Sequence, residues 1–290
     1  MEQERRLGEE TLAYLPPRKQ RSHKGTYGRV LCVAGCVNMA GAAYLCAHAA
    51  YRSGAGLVRI FTPEENRTIL QTLLPEAVLT VWPQDDPGKA GELLAEALEW
   101  ADAAALGPGL GKSPAAALLT EQVMRTYERP LVVDADGLNH LAGKMELIRE
   151  HKGPLAVTPH VGEFARLTGR SVREIAEDIP GWAGRFSRET GCVCVLKDAP
   201  SAVAAPDGRI FVNTTGNSGM STGGSGDVLT GVTAGFLGQG ADVLEAAAAA
   251  VWIHGRAGDL AARKEGQYGL LARHLIEYLP QAMEPDRQEA

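Results

Sequence analysis

A glycine-rich stretch, residues 213–231, carries the residue types best suited to phosphate chemistry. It reads NTTGNSGMSTGGSGDVLTG, and five of its glycines lie within the eleven residues that directly precede the carboxylate of Asp227. Glycine lets a backbone reach left-handed angles and bring its N–H groups against a ligand. The apolar residues that follow predict a helix beginning near residues 225–227, whose first N–H groups favour an anion such as phosphate.

Asp227 is the informative residue of this stretch. A carboxylate beside a phosphate is electrostatically unfavourable unless it takes part in the reaction. Its chemistry there is to accept the proton of a hydroxyl that attacks phosphorus. The alternative is an Asp that caps a helix after a flexible loop. This stretch alone gives the two interpretations about equal weight.

Other polar side chains stand where predicted strands end. Asp134 and Asp136 follow one strand, His160 and Glu163 lie between a second strand and its helix, and Lys197 ends a third. Carboxylates at such positions can hold Mg²⁺ through water. A lysine suits a nucleotide phosphate, and the histidine suits a substrate contact. The alternatives are helix capping for the carboxylates, a buried and hydrogen-bonded Asp134, and solvated positions for the lysine and the histidine.

The elements that position these residues alternate between strand and helix from Gly28 onwards. This alternation predicts an α/β fold with a mostly parallel sheet covered on both faces, and ligands of such sheets bind at the carboxyl ends of the strands. Residues 107–111, GPGLG, follow one strand and favour a tight turn with N–H groups facing a ligand, since the GxGxxG spacing is missing. Helices are also predicted over residues 8–15 and 172–190.

Composition limits the classes of protein and of partner. The chain has 290 residues with 45% hydrophobic content, enough for one large domain. A net charge of −6 favours neither nucleic acid nor an anionic membrane as partner. Charges throughout residues 1–22 argue against a signal peptide, and the apolar runs are too short to span a membrane, so we expect a soluble cytoplasmic protein. Five cysteines without CxxC spacing favour neither disulfides nor a zinc site.

Seven segments, taken in order, resemble the ADP- or ATP-dependent NAD(P)H-hydrate dehydratases. The segments are HKGTYG (23–28), GAAYL (41–45), RSGAGLV (52–58), GPGLG (107–111), DADGLN (134–139), TPHVGEF (158–164) and TGNSGMSTGGSGDVLTG (215–231). The resemblance extends from residue 23 to about residue 280 and is much more specific than any single motif.

This resemblance implies a ribokinase-like three-layer αβα sandwich over residues 23–282, preceded by an N-terminal arm (1–22) and followed by a C-terminal tail (283–290). It implies repair of the 6S hydrates of NADH and NADPH, called NADHX and NADPHX. ADP or ATP, with Mg²⁺, phosphorylates the ring hydroxyl, and phosphate then leaves as the double bond is restored. The resemblance also implies a homotetramer. An arm of 22 residues cannot supply the epimerase domain that some members carry.

The resemblance assigns roles to individual residues. Asp227 becomes the base that activates the hydroxyl of the hydrate, which lies against Ala42, Gly109 and His160. For the metal, the strand-end positions described above single out Asp134 and Glu163, which would reach Mg²⁺ through water and not as direct ligands. The nucleotide lies on Lys197, Asp198, Ala199, Pro200, Ser201, Asn213, Asn217, Gly223, Gly224, Ser225 and Gly226.

One residue departs from the family pattern. The family usually has Lys-Gly where this chain has Lys197 and Asp198. A carboxylate that pointed into the nucleotide site would weaken phosphate binding by repulsion.

Two other functions share some of these features. A small-molecule kinase of the hydroxymethylpyrimidine or hydroxyethylthiazole type would use the same GxGD chemistry, but it does not account for residues 23–28 or 158–164. A nucleotide-binding scaffold without turnover is the second, and the intact Asp227 argues against it.

Overall fold

The computed structural model describes residues 4–84 and 86–285. Ten strands lie within these residues. In chain order they are β1 (Glu4–Arg6), β2 (Arg29–Val33), β3 (Leu57–Pro63), β4 (Val78–Trp82), β5 (Ala103–Leu106), β6 (Leu131–Val133), β7 (Leu155–Val157), β8 (Val193–Leu196), β9 (Ala202–Ala204) and β10 (Ile210–Val212).

Twelve α-helices lie in the same described part of the chain. They are α1 (Ala40–Arg52), α2 (Arg67–Leu73), α3 (Pro87–Trp100), α4 (Pro114–Thr126), α5 (Ala135–Leu141), α6 (Met145–Arg149), α7 (Val161–Thr168), α8 (Val172–Ala176), α9 (Ile179–Thr190), α10 (Ser225–Gly238), α11 (Val243–Glu265) and α12 (Ala272–Ala282). Short 3₁₀ helices cover Glu9–Tyr14, Lys24–Tyr27, Glu64–Asn66 and Ser218–Met220.

The strands form a single sheet in the order β1-β10-β9-β8-β7-β6-β5-β2-β3-β4. Neighbours from β8 to β4 are parallel, whereas β9 runs antiparallel to both β8 and β10. Because the parallel strands end at one edge, the loops after β2, β5, β6, β7 and β8 meet there. The predicted mostly parallel sheet is confirmed.

Helices cover both faces of this sheet and give three layers. Along β2, Val30 and Cys32 are buried in one core while Leu31 and Val33 are buried in the other. Helices α1, α10, α11 and α12 contribute to the first core, and α3, α4, α5, α7 and α9 to the second. The strands therefore read as continuous apolar runs, as expected for a sheet buried on both faces.

Helix α10 lies deep in the first core, and its glycines let α1 approach closely. A Cβ on Gly231 would lie 2.1 Å from the carbonyl oxygen of Cys46, and one on Gly235 would lie 2.0 Å from Ser53 Oγ. Only a residue without a side chain fits at either position. This packing holds the N-terminus of α10, and Asp227 with it, at the carboxyl edge of the sheet.

Several elements differ from the sequence prediction. The predicted helix over 172–190 is two helices, α8 and α9, because Asp178 caps α9 by accepting the N–H of Gly181, and Pro180 in the first turn cannot continue an earlier helix. Helix α6 and strand β1 were not predicted, and the helix predicted over 8–15 is a 3₁₀ helix.

The two ends of the chain contact the domain where they are described. Strand β1 pairs in parallel with β10, and the Leu7 N–H donates to the carbonyl of Val212 at 2.9 Å. Helix α12 ends at Ala282, and residues 286–290 of the predicted tail lie outside the described residues. None of the described helices combines the length and apolar character that crossing a membrane requires.

Candidate functional site

The glycine loop ends in an open helix N-terminus. Gly224 is the N-cap of α10, with a left-handed φ of 91°, and makes no side-chain cap. Ser225 N–H bonds weakly to the Thr222 carbonyl at 3.4 Å, and Val228 N–H bonds to the Gly224 carbonyl at 3.1 Å. Gly226 and Asp227 lie between these two residues, before the first i→i−4 hydrogen bond of the helix. Their N–H groups are therefore available to an anion.

Asp227 occupies the third position of α10 and does not cap the helix. Burial of the carboxyl, reinforced by repulsion from Asp134, raises its pKa from an ordinary value of 3.8 to about 7, although attraction to Lys197 opposes the rise. A carboxylate with a pKa near neutrality is a competent general base, because about half of it is ionised near pH 7 and it is still basic enough to take a proton.

Lys197 and Asp134 form an ion pair beside this turn. Lys197 Nζ donates to Asp134 Oδ1 at 2.7 Å, and Thr230 Oγ1 donates to Asp134 Oδ2, also at 2.7 Å. The Asp134 side chain is 1% exposed and that of Lys197 is 19% exposed. Burial by itself would lower the pKa of Lys197, but attraction to Asp134 and Glu163 outweighs it and leaves the pKa raised. The lysine therefore stays cationic.

This pair lies directly against the glycine loop. A Cβ on Gly226 would lie 3.2 Å from Lys197 Nζ and 3.5 Å from Asp134 Oδ2. Glycine at this position thus brings the backbone N–H groups and the ammonium close to one point. Such a combination of N–H donors and a cation is well suited to a phosphoryl group.

The turn at residues 107–111 packs against α1. Gly107 and Gly109 have φ values of +117° and +57°, and a Cβ on Gly109 would lie 2.6 Å from the Ala42 Cβ. Asp136 Oδ2 accepts the N–H of Gly111 at 2.8 Å, so this carboxylate fixes the turn. Gly109 and Ala42, two of the residues assigned to the hydrate, are therefore adjacent.

His160 lies at the end of β7, beside Lys197. The two residues form an isolated parallel bridge, and Lys197 N–H donates to the Pro159 carbonyl at 2.8 Å. His160 Nδ1 accepts the Gly162 N–H at 2.9 Å, and Glu163 Oε2 accepts the His160 N–H at 2.9 Å. The pair is a reciprocal cap of α7. Half of the His160 ring remains exposed at the edge of the sheet.

Asp198, the departure from the family pattern, turns its carboxylate onto its own loop. Asp198 Oδ1 accepts the Ala199 N–H at 2.8 Å, and Ser201 Oγ donates to the Asp198 carbonyl at 2.9 Å. The side chain is exposed. In this arrangement the extra charge is satisfied locally by a backbone donor.

The loop from residue 213 to residue 219 is held mainly by its own amides. Asn213 Nδ2 donates to the Thr215 carbonyl at 2.8 Å, and Asn217 Oδ1 accepts the Gly219 N–H at 3.0 Å. Asn217 Nδ2 donates to Asp259 Oδ1 at 2.9 Å. The loop therefore rests on helix α11.

Three polar residues near the site were not singled out from the sequence: Thr230, His254 and Asp259. Thr230 lies four residues after Gly226 on α10, so the two residues share one face of the helix, the face that contacts Asp134. His254 and Asp259 interrupt a long alanine-rich helix, which was the available signal. His254 Nε2 lies 3.4 Å from Ser225 Oγ, and burial lowers its pKa to about 4, so it is neutral at ordinary pH.

The donor set does not form a metal cage. No group of three or more His, Cys, Asp or Glu side chains in the described ranges is placed to share one ion. Both oxygens of Asp134 accept hydrogen bonds, and Glu163 is engaged by His160. A magnesium ion at this site would have nucleotide phosphates as its main ligands, with protein carboxylates reached through water.

Comparison with known proteins identifies the family. Residues 30–281 match the family model described as NAD(P)H-hydrate dehydratase. The chain belongs to this family. A bifunctional NAD(P)H-hydrate repair enzyme from Moorella thermoacetica is 43% identical over 270 residues, covering 92% of this chain and 51% of that protein. The chain thus spans about half the length of the bifunctional relatives it matches.

Solved structures of similar proteins share the fold over almost the whole chain. The ADP/ATP-dependent NAD(P)H-hydrate dehydratase of Bacillus subtilis, co-crystallised with ATP and Mg²⁺, has a TM-score of 0.82 at 33% identity and covers 95% of this chain and 96% of its own. A ribokinase-like superfamily protein of Enterococcus faecalis has a TM-score of 0.86 at 29% identity, covering 97% and 95% respectively. The predicted ribokinase-like α/β fold is confirmed.

Proposed function

We propose that this chain dehydrates the 6S hydrates of NADH and NADPH with consumption of ADP or ATP. The observation that carries the proposal is the position of Asp227 in the first turn of α10, next to the free N–H groups at the end of the glycine loop. Its carboxyl group there has a pKa of about 7. Membership of the NAD(P)H-hydrate dehydratase family supports this choice of reaction.

The first step is phosphoryl transfer to the ring hydroxyl of the hydrate. Asp227 accepts the hydroxyl proton as the oxygen attacks the terminal phosphorus of the nucleotide, and the bond from that phosphorus to its bridging oxygen breaks. AMP leaves if the nucleotide is ADP, and ADP leaves if it is ATP. N–H groups of residues 223–226 and the Lys197 ammonium stabilise the negative charge on the transferred group.

The second step eliminates phosphate. The bond between the ring carbon and the phosphate oxygen breaks, its electron pair leaves with phosphate, and the neighbouring ring carbon loses a proton as the double bond forms. The products are NADH or NADPH, phosphate, and AMP or ADP. Phosphate is a much weaker base than hydroxide, so it leaves the ring far more readily. The site thus has the parts of a kinase and the net reaction of a lyase.

The substrate groups are assigned to two sides of Asp227. We place the hydrate against Ala42, Gly109 and His160, supported by the contact of Gly109 with Ala42. We place the nucleotide on residues 197–201, on Asn213 and Asn217, and on residues 223–226. Mg²⁺, bound to the nucleotide phosphates, would neutralise part of their charge.

Organisation beyond the site is also part of the proposal. We assign residues 23–282 to the dehydratase domain, residues 1–22 to an arm and residues 283–290 to a tail, and infer a cytoplasmic homotetramer. Exposed apolar side chains of Ile69, Leu73 and Val78, on α2 and the sheet-edge strand β4, support association with further copies.

A direct assay tests the function. Purified protein is incubated with NADH hydrate, Mg²⁺ and either ADP or ATP, while the absorbance of the reduced nicotinamide is followed. We expect the absorbance to recover only when a nucleotide is present, with phosphate released in equal amount. Absence of recovery with both nucleotides would contradict the proposal.

A further inference from the structure

Helix α11 supports the loop at residues 213–220 along one face. Thr215 Oγ1 donates to the Trp252 carbonyl at 2.8 Å. A Cβ on Gly255 would lie 2.3 Å from Thr215 Oγ1, and one on Gly258 would lie 2.3 Å from Met220 Sδ. The two glycines let the loop lie directly on the helix, without intervening side chains.

One carboxylate on this face holds the loop at two points. Asp259 Oδ2 accepts the Gly216 N–H at 2.9 Å, and Asp259 Oδ1 accepts from Asn217 Nδ2 at 2.9 Å. Because the Asn217 amide nitrogen faces Asp259, its oxygen faces the opposite way and accepts the Gly219 N–H at 3.0 Å. Asp259 thereby fixes both the backbone at Gly216 and the orientation of the Asn217 amide.

Charge-assisted hydrogen bonds of this kind are stronger than neutral ones, and here they order a loop rich in glycine. Without them the loop would populate many conformations in the free protein and would have to be ordered when a ligand binds. That ordering costs conformational entropy and is subtracted from the binding free energy.

We propose that Asp259 is a positioning residue that preorganises residues 216–219 for the nucleoside diphosphate or triphosphate. This inference rests on the proposed function, since it takes that loop as part of the nucleotide subsite. Asp259 hydrogen-bonds Gly216 and Asn217, and it acts on the nucleotide through these two residues. The proton transfer at Asp227 should therefore be little affected by its replacement.

The test is Asp259→Asn. Asparagine keeps the volume of the side chain, but its NH₂ group must face one of the two donors, the Gly216 N–H or the Asn217 amide nitrogen. Either one of the two hydrogen bonds is lost, or the Asn217 amide turns over and no longer accepts the Gly219 N–H. We expect the Kd of ADP by calorimetry, and KM for ADP, to rise about tenfold, the factor expected for a lost charge-assisted bond. The kcat at saturating ADP and the KM for the hydrate should change less than about twofold, because a change that only weakens nucleotide binding leaves the chemical step intact.

Three further variants make the result decisive. Asp242→Asn makes the same change at the N-cap of α11, far from the loop, and asparagine caps a helix equally well, so nucleotide binding should not change. Thr215→Val removes the hydroxyl bonded to the Trp252 carbonyl and should weaken ADP binding in the same direction. Asp259→Ala, which removes both bonds from Asp259 to the loop, substitutes for Asp259→Asn if that variant does not fold.

The outcomes separate the two levels of the proposal. Unchanged ADP affinity in the folded Asp259→Asn protein, or in Asp259→Ala if Asp259→Asn does not fold, would overturn the role of Asp259. An equal loss in kcat and in KM for the hydrate would also overturn it, because this pattern indicates general disruption. A wild-type protein that binds ADP without converting the hydrate would contradict the proposed function, while ADP calorimetry would still test Asp259.

Discussion

The Lys197 ammonium lies 2.7 Å from Asp134 Oδ1, and both side chains lie against Gly226 at the start of α10. This pair puts one positive charge beside two carboxylates, Asp134 and Asp227. Repulsion from Asp134 and attraction to Lys197 act in opposite directions on the pKa of Asp227. The pair therefore affects both the stability of the site and the basicity of its central carboxylate.

Removing Lys197 should lower the stability of the fold. It should also raise the pKa of Asp227 further, because the attraction to the ammonium is lost. Lys197→Met leaves Asp134 buried with a hydroxyl as its remaining partner, and breaking a buried pair in this way costs about 3 kcal/mol of the free energy of unfolding. Urea unfolding measures this loss. The double variant Lys197→Met/Asp134→Asn should recover most of it, because no unpaired buried charge is left. Equal stability of the single and double variants would show that the pair is not energetically coupled.

Activity should rise with pH through neutrality. The pKa of Asp227 is raised to about 7, so below that pH the carboxyl is protonated and cannot accept the hydroxyl proton. We expect kcat/KM to increase about tenfold per pH unit below pH 7 and to level off above it. A profile that is flat between pH 5 and pH 8 would mean that the essential base titrates elsewhere.

The same shift predicts a pH-dependent stability. The unfolded carboxyl ionises near its ordinary pKa of 3.8 and the folded one near 7, so between these values the folded state binds more protons than the unfolded state. Stability from this group therefore falls as pH rises through that window and stays low above it. Asp227→Asn should raise the melting temperature at pH 8 and leave it unchanged at pH 4. If Asp227→Asn were no more stable than the wild type at pH 8, the raised pKa of Asp227 would be contradicted.

Close packing of α10 on α1 should make Gly231 intolerant of a side chain. A Cβ on Gly231 would meet the Cys46 carbonyl oxygen at 2.1 Å, whereas one on Gly41 in α1 would meet nothing within 4 Å. We expect Gly231→Ala to lower the free energy of unfolding by at least about 2 kcal/mol through overpacking. Gly41→Ala should raise it by up to about 1 kcal/mol through helix propensity. Similar effects of both changes in urea unfolding would refute the packing argument.

Much of the fold follows from local sequence signals. Alternating apolar strands and amphipathic helices predicted the parallel sheet, and the carboxyl-edge rule placed residues 134, 160 and 197 in neighbouring loops. The break at Asp178 was missed because the apolar spacing continues across it, and only the cap and Pro180 mark the end of one helix. Strand β1 is three exposed, charged residues that pair with β10, which carries no local signal.

The site was less predictable than the fold because its partners are distant in sequence. Lys197 and Asp134 are 63 residues apart, and Thr230 and Asp134 are 96 apart. Each residue was identified separately, yet its choice of partner depends on sheet order and on the position of α10. Asp259 was missed because a carboxylate on a helix is ordinarily solvated, and only its loop contacts distinguish it.

The most direct test of Asp227 as the general base is to remove its carboxylate. Asp227→Ala is compared with the wild type in single-turnover conversion of NADH hydrate at saturating ADP, with ADP affinity measured by calorimetry on the same samples. We expect turnover to fall by about a thousandfold, as for removal of a general base, while ADP binding stays within a few-fold. Turnover at near the wild-type rate in the folded variant would contradict the assignment of Asp227 as the base.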